Sequence, residues 1–138
     1  MYGPSREELM LMESTIGNHH QNIRQGAQQL ISLLSSHSPP YDLEVKSTLE
    51  VFILYIKQHL QYEEATMALL NWPIIDQHKD HCASFVVEVS YQLQKLRNND
   101  VDITTDIMIY IRNWLDNHDT IHDKPFLEFI KKKLASYK

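Results

Sequence analysis

The chain has 138 residues, 43% of them hydrophobic, which suffices for one domain built round a single core. Eighteen acidic against thirteen basic residues give a net charge of -5, so a nucleic-acid backbone is not the expected partner. No stretch approaches the roughly 18 consecutive apolar residues of a membrane span, which argues against a membrane partner.

Only three glycines and little two-residue alternation predict an all-α fold. Residues 1–12 read as an N-terminal arm, in which Ser5-Arg6-Glu7-Glu8 is a candidate capping box for a short helix. A first long helix is predicted from Ser14 to Ser35, with Ile16, Ile23, Leu30, Ile31 and Leu34 at helical spacing. Ser38-Pro39-Pro40 breaks it. Asp42 is a candidate N-cap for the second helix, whose stripe is Val45, Leu49, Phe52, Ile53, Ile56, Leu60 and Met67. Asn71-Trp72-Pro73 is the next punctuation, and Pro73 suits the first turn of a third helix reaching Leu96. After the polar loop Arg97-Asn98-Asn99-Asp100, Thr104 or Thr105 is expected to cap a fourth helix carrying Ile107, Ile111, Trp114, Leu115 and His118. Pro125 interrupts the pattern, and Phe126, Leu127, Phe129 and Ile130 suggest a short closing helix with a basic tail, Lys131-Lys132-Lys133. Four long helices with short links predict an up-down-up-down four-helix bundle, with the N-terminal arm and a short C-terminal helix, all in one domain over residues 1–138.

Six of the eight histidines fall into four sets, one per long helix: His19-His20, His59-x-x-x-Glu63, His78-x-x-His81-Cys82 and His118-x-x-x-x-Asp123. Inward-facing imidazoles and carboxylates from several helices are what a metal site in a bundle requires. His59 and Glu63, four apart, share one helix face. His20 aligns with Ile16 and Ile23 and faces inward, which leaves His19 rotated about 100° outward. His118 and Asp123 are five apart, about 140° round a regular α-helix, so they converge only if the helix loosens or ends between them. His122, one turn from His118, competes with it but has polar neighbours. Each set alone has a bland reading, such as a His-Glu hydrogen bond at the rim of the core, but four on successive helices point to a metal. His37 in the Ser/Pro linker reads as solvated. The lone cysteine, Cys82, cannot form an internal disulfide, and the start MYGPSREELM lacks the basic-then-apolar pattern of a secretory signal, so a cytoplasmic location is expected.

Laid out in this way, the chain resembles the hemerythrin-like family, in particular its bacterial single-domain members, over about residues 11–130. The residues that carry the resemblance are Ile16-Gly17-Asn18-His19-His20, Tyr55-x-x-x-His59-Leu60-x-x-Glu63-Glu64-x-x-Met67, Trp72-Pro73-x-x-x-x-His78-Lys79 with Phe85, and Trp114-Leu115-x-x-His118-x-x-x-x-Asp123-Lys124-x-Phe126. The resemblance implies a bundle holding two non-haem iron ions with an oxo or hydroxo bridge. His20 and His59 would bind one iron, with a position open to O2. Glu63 and Asp123 would bridge, and His78 and His118 would bind the other iron with one further ligand from the third helix.

That further ligand is where the chain departs. The family has His-x-x-x-His, which from His78 lands on Cys82. Cys82 as thiolate, His81 swung inward by a helix bulge, or neither, are the three outcomes, and relative to His78 they lie at about +40° (Cys82) and -60° (His81). A second departure puts Gly17 and His19 where relatives have Asp and Gln, removing a contact that would orient His20. Asp119 stands where relatives commonly have Ile, making the pocket more polar. The resemblance implies reversible O2 binding, as carrier, store or scavenger rather than enzyme, in an apolar pocket lined by Ile56, Phe85, Trp114 and Leu115. The altered third set suggests the alternative of a redox, NO or O2 sensor, or a peroxidase-like enzyme acting on peroxide.

Overall fold

In the computed structural model, residues 3–36, 43–98 and 103–137 are described. They form α1 (Arg6–Ser35), α2 (Leu43–Leu69), α3 (Ile75–Arg97), α4 (Ile103–His118), a π-helical turn (Asp119–Asp123) and α5 (Lys124–Ser136), with no strand among them. The fold is all-α, as the periodicity requires. No helix of the described residues is long and apolar enough to cross a membrane.

The capping box forms. The Ser5 hydroxyl accepts from the Glu8 N–H at 3.1 Å while Glu8 Oε1 accepts from the Ser5 N–H at 3.4 Å. This start corrects the expected arm over residues 1–12, because α1 runs unbroken from Arg6. No proline or glycine interrupts residues 6–16, and Leu9, fully buried, packs in one cluster with Ile16. Helix α2 ends in a Schellman motif. Asn71 takes the left-handed conformation (φ 55°), the Trp72 N–H reaches the Met67 carbonyl at 2.9 Å, and the Asn71 N–H reaches that of Ala68 at 3.2 Å. Pro73 therefore belongs to the connecting turn and not to the first turn of α3, which opens at Ile75. Helix α4 is already under way at Ile103, so neither Thr104 nor Thr105 is its cap. Asp42 and His37 lie outside the described residues.

Two apolar clusters are stacked along the bundle. One contains Ile23, Leu30, Leu49, Phe52, Ile56, Phe85, Val89, Ile107, Ile111 and Trp114. The other contains Leu9, Ile16, Met67, Leu70, Phe126 and Ile130. Following the chain through them gives the topology: α1 climbs from the second cluster to the first, α2 descends, α3 climbs, and α4 with α5 descends again. Between the clusters each long helix contributes the histidine and carboxylate residues of its set. A buried polar layer thus lies between two apolar ones.

Candidate metal centre

His59, Glu63, His78, His118 and Asp123 are buried in that layer, and His20 is half-buried. Buried ionisable groups are costly unless paired or metal-bound, so their neighbours decide what they do. Donor atoms of His20, His59, Glu63 and Asp123 all lie within 4.8 Å of one another. The same holds for Glu63, His78, His118 and Asp123. The two groups overlap in Glu63 and Asp123, so two donor sets share two carboxylates.

The convergence of His118 with Asp123 depends on the π turn. The Lys124 N–H bonds to the Asp119 carbonyl, five residues back, which brings residues five apart nearly above one another. The helix loosens where the sequence requires it to, and His118 Nε2 meets Asp123 Oδ1 at 2.9 Å. Glu63 sits at the centre. Its Oε1 is 2.9 Å from His59 Nε2 and 3.1 Å from His118 Nε2, and its Oε2 is 3.7 Å from His20 Nε2. His20 Nε2 is also 2.8 Å from Asp123 Oδ2.

Several of these short contacts lack hydrogen-bond direction. His20 Nε2, His59 Nε2, Glu63 Oε2 and Asp123 Oδ1 are buried without a hydrogen-bond partner in the protein. Apart from the His118 Nε2–Glu63 Oε1 hydrogen bond, these crowded donors are not well directed at one another, which is the pattern made around a shared cation, and the mixture of imidazole and carboxylate suits iron, manganese or zinc. The residues therefore fit a metal.

Electrostatics agree. Burial alone would lower His20 and His118, but contact with Asp123 and Glu63 outweighs it and holds His20 up to about 10 and His118 up to about 9. Burial would raise Glu63, yet the surrounding imidazoles, His118 first, hold it well below the ordinary carboxylate value. Without metal the cluster is an imidazolium–carboxylate network, and a cation must displace its protons. A raised histidine pKa stabilises the fold fully below its unfolded value of 6.5, and this contribution is lost as pH climbs through the folded value. The lowered Glu63 stabilises above 4.5 and loses that contribution as pH falls. The metal-free protein is therefore expected to melt at progressively lower temperature from pH 6.5 to 10, while metal uptake tightens over the same range. Calorimetry across that range checks the first, and a pH-stat titration of protons released on metal addition checks the second. A metal-free melting temperature that is flat or rising would contradict it.

In the third set Cys82, and not His81, stands among the donor atoms. Donor atoms of His78, Cys82 and His118 lie within 4.8 Å of one another, with Cys82 Sγ 3.5 Å from His78 Nδ1 and 3.7 Å from its Nε2. Burial pushes the thiol up, and Glu64, Glu63 and Asp123 add to this, so the free thiol keeps its proton. His81 belongs to none of the three donor groups. Its ring instead stacks on Trp114 (4.6 Å, 13°) and lies parallel to that of His118 (5.3 Å, 6°).

Two residues near the site, His19 and Glu64, were not read as part of it, and His122 was weighed but set below His118. His19, expected to point outward, is half-buried, with Nδ1 2.9 Å from His59 Nδ1 and its ring edge-on to Tyr55 and Tyr62. With His59 Nδ1–H donating to His19 Nδ1, the Nε2 lone pair of His59 is left for the centre, the role an outer partner plays for a ligating histidine. Glu64 Oε1 stands 3.4 Å from His78 Nδ1 and is placed to orient that ring likewise. His122, judged by its polar neighbours, is in fact buried, with its ring 5.3 Å from His78 and 4.8 Å from His81. Its four-residue spacing from His118 was the available signal.

A cavity of about 560 Å³ reaches His20, His59, His118 and Asp123. Ile56, Trp114 and Leu115 line it, as expected of the pocket, whereas Phe85 does not. Phe85 is fully buried behind Trp114, with ring centroids 4.2 Å apart, because its position one turn beyond Cys82 carries it to the far side of the indole. The chain matches no protein-family model, no curated protein and no solved structure.

Proposed function

We propose that the chain is a hemerythrin-like di-iron protein of the cytoplasm that binds O2 reversibly. One observation carries the reading: two donor sets, drawn from all four long helices, share Glu63 and Asp123. That arrangement suits a pair of metals bridged by carboxylates. His20 and His59 would hold one iron, His78, Cys82 and His118 the other, and two such ions supply the electrons that O2 binding requires. The chain's own contribution is to fix ring orientation through His19 and Glu64 and to bound the polar layer with the apolar clusters above and below. His20, His59, His118 and Asp123 line the cavity, which supports binding of a small molecule beside the centre.

Loading the protein anaerobically with ferrous iron and then admitting air is expected to yield two irons per chain and a visible absorption band. Removing O2 should abolish the band. Less than one metal per chain, with no gain on adding iron, would sink the proposal.

The position of Cys82 favours a second reading, in which the protein senses redox state or NO or reduces peroxide. A sulfur donor softens the second site and adds an oxidisable group beside it. Cys82→Ser is expected to weaken the second metal by about 10–100-fold, the range for disturbing a ligand's support or more, and to change the absorption spectrum. Equal metal content and an identical spectrum in wild type and variant would exclude thiolate ligation.

A further inference from the structure

His81 belongs to none of the donor groups, yet its ring lies against one of the histidines that does. His118 presents Nε2 to Glu63 and Asp123, and a neutral imidazole that ligates through Nε2 carries its proton on Nδ1. That Nδ1 is buried and bonds nothing in the protein. A ligating histidine needs an acceptor for this second N–H, which fixes the ring and avoids an unsatisfied buried donor. Two neighbouring imidazoles also carry a buried nitrogen without a partner, Nε2 of His81 and Nδ1 of His122.

Ring geometry selects His81. Its centre lies 4.6 Å from that of Trp114 and the centre of His118 lies 4.7 Å from it, the planes 13° and 12° from parallel. Rings on opposite faces of the indole would stand about 7 Å apart, twice a contact distance of about 3.5 Å. The two imidazoles are 5.3 Å apart and 6° from parallel, so they lie side by side on one face of Trp114, close to a common plane. A ring N–H and a ring lone pair both point within the plane of the ring, so coplanar neighbours can bond edge to edge. An N–H···N contact of about 3 Å sets such ring centres about 5 Å apart. His122, at 5.4 Å from His118 and tilted by 32°, lacks that alignment. A half-turn of His81 about its Cβ–Cγ bond keeps the stack on Trp114 and changes the edge on which Nε2 sits. Burial keeps His81 neutral, so Nε2 has a lone pair to offer.

We infer that His81 is a positioning residue for His118: on metal uptake its Nε2 accepts the His118 Nδ1–H, while Trp114 holds the two rings in one plane. The second donor set thus has in His81 what the first has in His19, a non-ligating imidazole behind a ligating one. The inference rests on the proposed metal centre.

Zinc is diamagnetic, so the bond can be observed directly by nitrogen NMR of the isotope-labelled, zinc-loaded full chain. A scalar coupling across the hydrogen bond is expected between His118 Nδ1 and His81 Nε2. It is read on the wild type and so decides even where a variant fails to fold. Zinc and iron titrations of two variants give the consequence. His81→Phe keeps a ring for Trp114 but no acceptor, and should weaken the second metal about 10–100-fold while leaving the first. His81→Gln, whose side-chain carbonyl accepts, should restore most of that affinity. Two zinc ions bound without the coupling, a coupling to His122 Nδ1 instead, wild-type affinity in His81→Phe, or equal losses in the two variants would each overturn the role of His81 and leave the metal centre standing. A wild type that takes up no metal would remove the centre itself, and the role of His81 with it.

Discussion

In the proposed two-metal centre, Glu63→Gln is expected to cost both metals, not one. The carboxylate belongs to both four-residue donor sets, and its oxygens lie within 3.7 Å of Nε2 atoms from four different histidines. Glutamine keeps the size of the side chain but supplies one weaker oxygen and an amide whose hydrogens repel a cation. The loss should exceed the 10–100-fold typical of removing an outer partner of a ligand, so that stoichiometry falls well below two per chain at micromolar metal. A second effect separates this from a simple ligand deletion. In the metal-free protein, Glu63 is the buried counter-charge of the imidazolium network, and breaking a buried pair from one side costs about 3 kcal/mol or more. The variant should therefore melt earlier even when both proteins are stripped of metal, and the difference should shrink above pH 10, where His20 and His118 have lost their protons. Metal analysis by plasma emission, with melting curves of chelator-treated protein, checks both. A variant that keeps two metals would show that Glu63 is not shared.

Why so much of this site could be read beforehand is visible along each helix. Ile16, His20 and Ile23 on α1, and Ile56, His59, Glu63 and Met67 on α2, keep one face inward while changing from apolar to polar and back. The period of 3.6 fixes the face, and the break in hydropathy marks the layer. What could not be read depended on tertiary neighbours. His19 looked exposed because a helical wheel knows nothing of Tyr55, Tyr62 and His59 on the adjacent helix. Phe85 was placed on the pocket wall because an inward direction does not say on which side of Trp114 a ring will pack. The arm vanished because the capping box at Ser5 is a local signal of full strength, whereas the weak stripe of residues 6–13 acquires its burial from Phe126 and Ile130, more than a hundred residues later. Helix bounds at Ile103 and Ile75 shifted for the same reason that caps are permissive: several polar residues nearby could each have served.

Deleting Thr120 should dissociate stability from metal binding. The π turn is an α-helix carrying one additional residue, and Thr120 is exposed within it. Removing it lets an ordinary α-helix run from α4 into α5, with Phe126 and Ile130 still directed into their cluster. The aspartate then stands four residues after His118, about 40° away round the helix, so it still points inward. What changes is the width of the turn. The extra residue swells the ring of backbone between Asp119 and Lys124, and without it the backbone carrying the carboxylate draws back toward the helix axis. Asp123 now meets His118 Nε2 at 2.9 Å through one oxygen and His20 Nε2 at 2.8 Å through the other. Ligand distances tolerate only about 0.2 Å, so that retraction is enough to break the convergence. The shortened chain should therefore fold with a melting temperature equal to or above that of the metal-free wild type, yet hold one metal weakly or none. A functional turn retained against the regular alternative has this signature, in which the helix gains and the site loses. Two metals bound at wild-type affinity after the deletion would mean that the π turn positions nothing. A collapse of the fold would mean that the turn belongs to the packing of α5 and not to the centre.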